Sequence, residues 1–335
     1  MTVVNRQITL ASRPVGFPKV SDFQLVFAPL PSPRLDEVLV RSVYLSLDPE
    51  LRARMDEVTS SALPLAIGEV MTGGAVGVVV ESRDAGLRIG EAVEGLLGWQ
   101  EYAVVHANEL RKVDPDLGPI STALGVLGMP GLTAYFGLVD VCDAQVGETV
   151  VVSGSAGAVG MIAGQVAKLR GCRVVGLSGS EADVSWLLQE LGFDAALEYR
   201  NAEDLYFELG QLCPRGIDVY VDNVGGAVSD AVMRRLSAGA RILVCGQSSQ
   251  RNLERPELGP RWLGELIVNR ARVQGFRVEA YAERFHEGRE HLARWLRQGK
   301  LRYREDVALG IEAAPQAFIE LLHDRSQGQQ LVQIA

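Results

Sequence analysis

The stretch "VVSGSAGAVG", Val151 to Gly160, sets the architecture. It follows Thr149 and Val150, so a short apolar run leads straight into glycines at 154, 157 and 160. Beyond them Val159, Ile162, Ala163, Val166 and Leu169 recur at helical spacing. A strand that feeds a helix through a glycine turn sets the helix N-terminus against the turn, where unpaired N–H groups and the helix dipole make an anion site. The dinucleotide fingerprint G-x-G-x-x-G needs its glycines for the tight turn, for close approach of a pyrophosphate and for helix–strand packing. Gly157 and Gly160 fill its second and third places, while Ser155 stands at the first with Gly154 just before it. Taken alone, the pattern also fits a glycine-rich turn that holds no ligand. The next strand, "CRVVGL" (172–177), completes strand, turn, helix and strand within about 30 residues and favours the dinucleotide.

The same alternation continues. A helix is expected from Glu181 to Leu191, and "IDVYVDNVGG" (217–226) and "ARILVCG" (240–246) repeat the passage from strand to glycine. Alternating strands and helices imply a parallel sheet covered on both faces. A later amphipathic helix carries Tyr281, Phe285, Leu292, Trp295 and Leu296 toward a core, and "QLVQIA" reads as a last strand. Residues 1 to about 120 have a different texture. "DEVLVRSVYLSL" (36–47) and "GEVMTGGAVGVVVES" (68–82) read as strands, and 90–113 as two more joined by a turn at Gly98. "FAPLPSPRLD" (27–36), with three prolines, reads as a loop. The expectation is an α/β protein of two domains, 1–120 with 300–335 and 121–299.

At 335 residues the chain is long for one core, and 47% apolar residues suffice to fill two. The net charge of −9 argues against a nucleic-acid or anionic-membrane surface, both of which need a basic patch. "MTVVNRQITLASRP" lacks the pattern of a secretory signal, and no run approaches the roughly 18 apolar residues of a membrane span. A soluble, cytoplasmic protein is expected. Cys142, Cys172, Cys213 and Cys245 form no CxxC and read as buried, reduced thiols. None of the four histidines stands at metal-ligand spacing from a cysteine or another histidine.

NAD-binding folds usually carry Asp or Glu at the end of the second strand, for the ribose hydroxyls. Here "VVGLSGS" (174–180) has none, and its small hydroxyl residues leave room for a 2′-phosphate, which favours NADP. Glu181 and Asp183 follow closely, and their charge works the other way.

Six phrases occur in one order: "YLSLDPELRARM" (44–55), "GWQEYAVV" (98–105), "LGMPGLTAYFGL" (127–138), "ETVVVSGSAGAVG" (148–160), "DNVGG" (222–226) and "EDVALGIEAAPQAFIELL" (305–322). Together, and nearly end to end, they resemble the zinc-independent branch of the medium-chain dehydrogenase/reductase superfamily. The resemblance is closer to its leukotriene hydroxydehydrogenase, prostaglandin reductase and alkenal double-bond reductase group. It implies a GroES-like, partly open β-barrel catalytic domain beside a doubly wound Rossmann domain. It implies NADPH-dependent reduction of the C=C bond of α,β-unsaturated aldehydes and ketones, without a metal, by a homodimer. Enone reduction suits a metal-free site better than alcohol oxidation, which needs strong polarisation of an oxygen. A quinone oxidoreductase and a dinucleotide-binding sensor without turnover are the alternative readings.

The resemblance also assigns residues. Ala156, Gly157, Ala158 and Val159, flanked by Gly154 and Gly160, match the pyrophosphate turn. Thr133 matches a residue near the nicotinamide, with a helix-interior threonine bonded to the backbone as the alternative. Tyr199 in "LEYR" matches a tyrosine of the 2′-phosphate site, with Ser180 and Arg200 as further phosphate partners. Asn223 matches a contact on the nicotinamide side, and Cys245, Gly246, Gln247 and Ser248 match the loop beside the nicotinamide ribose. Phe276 and Val278 match residues whose backbone meets the carboxamide.

Three positions depart from the group's pattern. Asp183 stands where its phosphate lysine falls, Arg251 where its "ISxYN" tyrosine falls, and Ser326 where a late asparagine falls. Arginine is a poor acid near neutral pH but a good donor to an oxyanion. Tyr44, opening "YLSLDP" at an expected strand end, is the second candidate donor to the substrate carbonyl, and a core aromatic is its alternative role. Arg52 and Asp48 of the same phrase read as structural.

Overall fold

The computed structural model describes residues 4–57, 63–255 and 257–334. Its contacts divide the chain into two units, Met1–Gly125 with Glu305–Ala335, and Val126–Arg304.

The first unit opens with an antiparallel hairpin of β1 (Val4–Leu10) and β2 (Phe23–Pro29). The strand β2 thus takes in the first three residues of the stretch expected to be a loop. Pro29 faces Val4 at the end of the hairpin, where a missing N–H breaks no interior ladder. Next come β3 (Glu37–Ser46), the single turn α1 (Leu51–Arg54) and β4 (Ala75–Ser82). The expected strand over 68–82 is therefore half as long. Gly73 and Gly74 offer no side chains to pack, and Val70 makes one isolated bridge to Thr9. Three strands, not two, occupy 90–113: β5 (Ala92–Gly95), β6 (Tyr102–His106) and β7 (Arg111–Lys112), with the turn at Gly98 between the first two.

The second unit begins with α2 (Met129–Phe136) and proceeds through β8 (Thr149–Ser153), α3 (Ala158–Leu169), β9 (Arg173–Ser178), α4 (Glu181–Gln189), β10 (Ala195–Glu198) and α5 (Leu205–Leu212). It continues with β11 (Ile217–Asp222), α6 (Gly226–Met233), β12 (Leu236–Val244), α7 (Leu263–Asn269), β13 (Arg272–Gly275) and α8 (Phe285–Arg297). Its six strands pair in the order β10-β9-β8-β11-β12-β13, all parallel. All five residues of β8 are buried, which is why its apolar run has no alternation. The order reverses direction between β8 and β11, and ligands of such sheets bind outside the carboxyl ends at that switch point.

The chain then returns to the first unit as β14 (Glu305–Leu309), α9 (Ala314–Leu322) and β15 (Gln329–Gln333). There the sheet runs β14-β15-β3-β4-β5-β7, with β6 also paired to β3. Its core centres on the fully buried Trp99, which stacks on Phe23 with ring centroids 5.7 Å apart and meets Phe318 edge-on at 5.6 Å.

Candidate functional site

The cofactor residues expected within the second unit, apart from Thr133, fall on the loops that follow the carboxyl ends of its strands or on the first turns of the helices those loops lead into. The turn after β8 is built by Gly154, in the left-handed region at φ +58°. Its carbonyl accepts from Gly157 N–H at 3.0 Å. A Cβ on Gly160 would stand 2.2 Å from Gly154 O, so only glycine lets α3 start this close to the strand. Ser155, at the fingerprint's first place, points inward, and its hydroxyl donates to Leu177 O at 3.0 Å. Gly157 is exposed, and no side chain caps α3. The N–H groups of Ala158, Val159 and Gly160 therefore face the turn, a cradle that fits the pyrophosphate of a dinucleotide.

One strand away, Ser180 caps α4 and accepts from Asp183 N–H at 3.2 Å, which leaves its hydroxyl proton for a ligand. A Cβ on Gly179 would stand 3.1 Å from Arg200 Cζ, so the guanidinium lies over the end of β9. Tyr199, after β10, is half-buried against the sheet core, with its N–H bonded to Ser178 O. Asp183 turns away from this edge. It is buried and takes the Ser178 hydroxyl on Oδ2 at 3.0 Å, and Oδ1 has no partner.

On the other side of β8, the loops after β11 and β12 are sewn together. Asn223 donates from Nδ2 to Ser153 O at 2.7 Å and from its backbone to Ser153 Oγ at 3.0 Å. The N–H groups of Cys245 and Gly246 both reach Asp222 O, and Ser248 N–H reaches Asn223 O. Gln247 donates to Asp222 Oδ2 at 3.0 Å. Asp222 and its partners Tyr220 and Ser229 were missed by sequence reasoning, although Asp222 opens the quoted phrase "DNVGG". Phe276 continues the line after β13, with its N–H on Val244 O, and Val278 is buried just beyond.

Other assignments are less simple. Thr133 lies in α2 and gives its proton to Met129 O at 2.8 Å, the back-bonded arrangement open to a helix-interior threonine; its lone pairs remain as acceptors. Arg251 follows the turn Ser248–Gln250 with its N–H on Ser248 O. Tyr44 is in the first unit, inside β3 rather than at a strand end, and packs half-buried against Val76, Leu124 and Leu331. Arg52 is buried and bonds Gly16 O, Pro14 O and Asp56. Asp48 takes the Ser46 hydroxyl, and burial pushes its carboxyl up to about 6.

All four cysteines are free; Cys142, Cys172 and Cys213 are buried and Cys245 is partly exposed. Burial pushes the Cys142 thiol up to about 12 and that of Cys213 to about 11, and it raises Cys172 and Cys245 as well. Among the described residues no group of three or more His, Cys, Asp or Glu stands where it could hold a metal ion.

Residues 6–113 match a family model described as the N-terminal domain of oxidoreductase, and residues 158–295 one described as zinc-binding dehydrogenase. The NADPH-dependent curcumin reductase of Escherichia coli is 41% identical across 99% of this chain and 97% of its own. The NADP-dependent 2-alkenal reductase of Nicotiana tabacum is 40% identical across 99% and 98%. The crystal structure of CurA from Vibrio vulnificus in complex with NADPH superposes with a TM-score of 0.94 at 43% identity, over 98% of this chain and 99% of that one. The chain belongs to the medium-chain dehydrogenase/reductase superfamily, in the zinc-independent group of curcumin, alkenal and prostaglandin reductases.

Proposed function

We propose that this NADPH-dependent oxidoreductase reduces the C=C bond of α,β-unsaturated aldehydes and ketones. The arrangement that supports the reading is the row of loops at the carboxyl ends of β9, β8, β11 and β12, with Arg200 over Gly179 at one end and the Asn223 and Cys245–Ser248 loops at the other. Bound NADPH supplies the hydride, which adds to the β-carbon while negative charge develops on the carbonyl oxygen. The turn from Gly154 to Gly160 holds the pyrophosphate. Ser180, Tyr199 and Arg200 hold the 2′-phosphate, in place of the lysine that Asp183 displaces. Asn223, Gly246, Gln247, Ser248 and the backbone of Phe276 and Val278 orient the nicotinamide end, with Thr133 as an acceptor. Tyr44 and Arg251 are each assigned as a candidate donor to the developing oxyanion, because a phenol O–H and a guanidinium can donate a hydrogen bond without giving up a proton. Water then delivers the proton to the α-carbon.

The Val126–Arg304 unit serves as the dinucleotide domain and the other as the catalytic domain. We assign the cytoplasm as its compartment, consistent with four free thiols. No described helix is long and apolar enough to cross a membrane. A homodimer paired along β13 fits the exposure of all four residues of that edge strand.

The test is steady-state oxidation of NADPH and NADH with a medium-chain 2-alkenal and with a quinone, with products identified by mass spectrometry. Gain of two hydrogens across the alkenal C=C bond, with NADPH preferred, is the expected result. Turnover of the quinone alone replaces the reading with that of a quinone reductase. Binding of NADPH without oxidation by any acceptor leaves a sensor.

A further inference from the structure

Asp222 ends β11 at the switch point and is 3% exposed. A buried carboxylate is tolerated only when donors satisfy it. Here they come from six positions. Oδ1 accepts from the Tyr220 hydroxyl at 2.9 Å, the Ser153 hydroxyl at 3.3 Å, Val224 N–H at 3.1 Å and Gly225 N–H at 2.9 Å. Oδ2 accepts from the Ser229 hydroxyl at 2.7 Å and Gln247 Nε2 at 3.0 Å. Burial and the neighbouring carboxylate raise Tyr220 well above the ordinary tyrosine range, so it stays a donor. Its oxygen also lies 3.0 Å from Ser153 Oγ, which accepts from Asn223 N–H. One side chain therefore ties together the end of β8, the loop after β11, the start of α6 and the loop after β12.

We infer that Asp222 is a positioning residue for the nicotinamide half of the cofactor, setting Asn223 and Gly246–Gln247 in register with the glycine turn. The inference rests on the NADPH reading above. The pyrophosphate sits on the turn after β8 and the adenosine on the side of β9, so β11 and β12 lie on the nicotinamide side. Four of the six donors, all but Tyr220 and Ser153, belong to loops and to the first turn of α6 rather than to the sheet. Losing the carboxylate loosens those loops while the apolar interior of β8, β9 and β11 remains packed. Asparagine has nearly the same shape, but it offers one acceptor oxygen, and its amide N–H groups confront donors.

The test is Asp222→Asn in the full-length protein, titrated with NADPH by its fluorescence and with adenosine 2′,5′-bisphosphate by calorimetry. The bisphosphate carries the adenosine half alone. The expected result is an NADPH Kd raised about 10- to 100-fold with the bisphosphate Kd within about twofold of the parent. Equal weakening of both ligands, or no change in either, overturns the inference. Should Asp222→Asn not fold, Ser229→Ala and Tyr220→Phe each remove one donor and must show the same split on a smaller scale; an equal loss of both ligands overturns it there too. A parent protein that binds neither ligand overturns the NADPH reading itself, and this inference with it.

Discussion

Asp183 stands where the family resemblance leads one to expect a lysine, yet its carboxylate faces inward to Ser178, and the charge at the strand end belongs to Arg200 over Gly179. A guanidinium can meet a phosphate through two parallel N–H donors, which a lone ammonium does not. Arg200→Ala is expected to cut kcat/KM with NADPH by about 10- to 100-fold and leave that with NADH nearly unchanged, because only the 2′-phosphate loses a partner. Parallel kinetics with the two cofactors check this, and an equal fall in both removes Arg200 from the phosphate site. The sequence shows Asp183 as a hostile charge, since position alone does not tell which way a side chain turns. Asp222 was hidden for a related reason. The contacts that define its cluster join Ser153 to residues 67 to 70 positions away, a distance that no local spacing records.

Elements were easier to read than residues where burial made the signal continuous. The run that became β8 and the helical spacing that became α3 are both explicit in the letters, because one is buried on all sides and the other packs one face on the sheet. The four-residue β10 escaped notice; "AALE" has no β-branched residue and owes its strand to pairing with β9. β4 was read too long, because valines flank a glycine pair that does not pair. The glycine turn lets packing and binding be separated. Gly160→Ala places a Cβ 2.2 Å from Gly154 O and must push α3 off the strand, at an expected cost of roughly 1–3 kcal/mol. At Gly157, by contrast, the Cβ would stand 3.3 Å from that oxygen and point toward solvent. Gly157→Ala is therefore expected to keep near-parent stability and lose NADPH affinity. Urea denaturation and NADPH titration of both variants check the contrast; two variants alike in both measurements contradict it.

At the scale of the molecule, the change of texture near residue 120 separates a β-rich part from an alternating one, and the contacts divide the chain close by, after Gly125. The surface was beyond reach of the letters, since periodicity marks what is buried and not what is left uncovered. On α7, Leu263, Ile267 and Val268 are 65%, 81% and 75% exposed, and β13, which follows α7 in the chain, ends the sheet with an open edge among the described residues. A second copy related by a twofold axis would pair that edge and cover the helix. Ile267→Lys with Val268→Lys is expected to shift the mass in light scattering from dimer to monomer at micromolar protein; a parent protein that is already monomeric rules the pairing out. Three of the four thiols are buried and the fourth, Cys245, is partly exposed. Enals are soft electrophiles that alkylate thiolates, and none of the four cysteines is readily ionised at neutral pH. If the proposed reaction is the right one, a catalyst built this way would be spared from self-inactivation by its own substrates through the packing that holds it together.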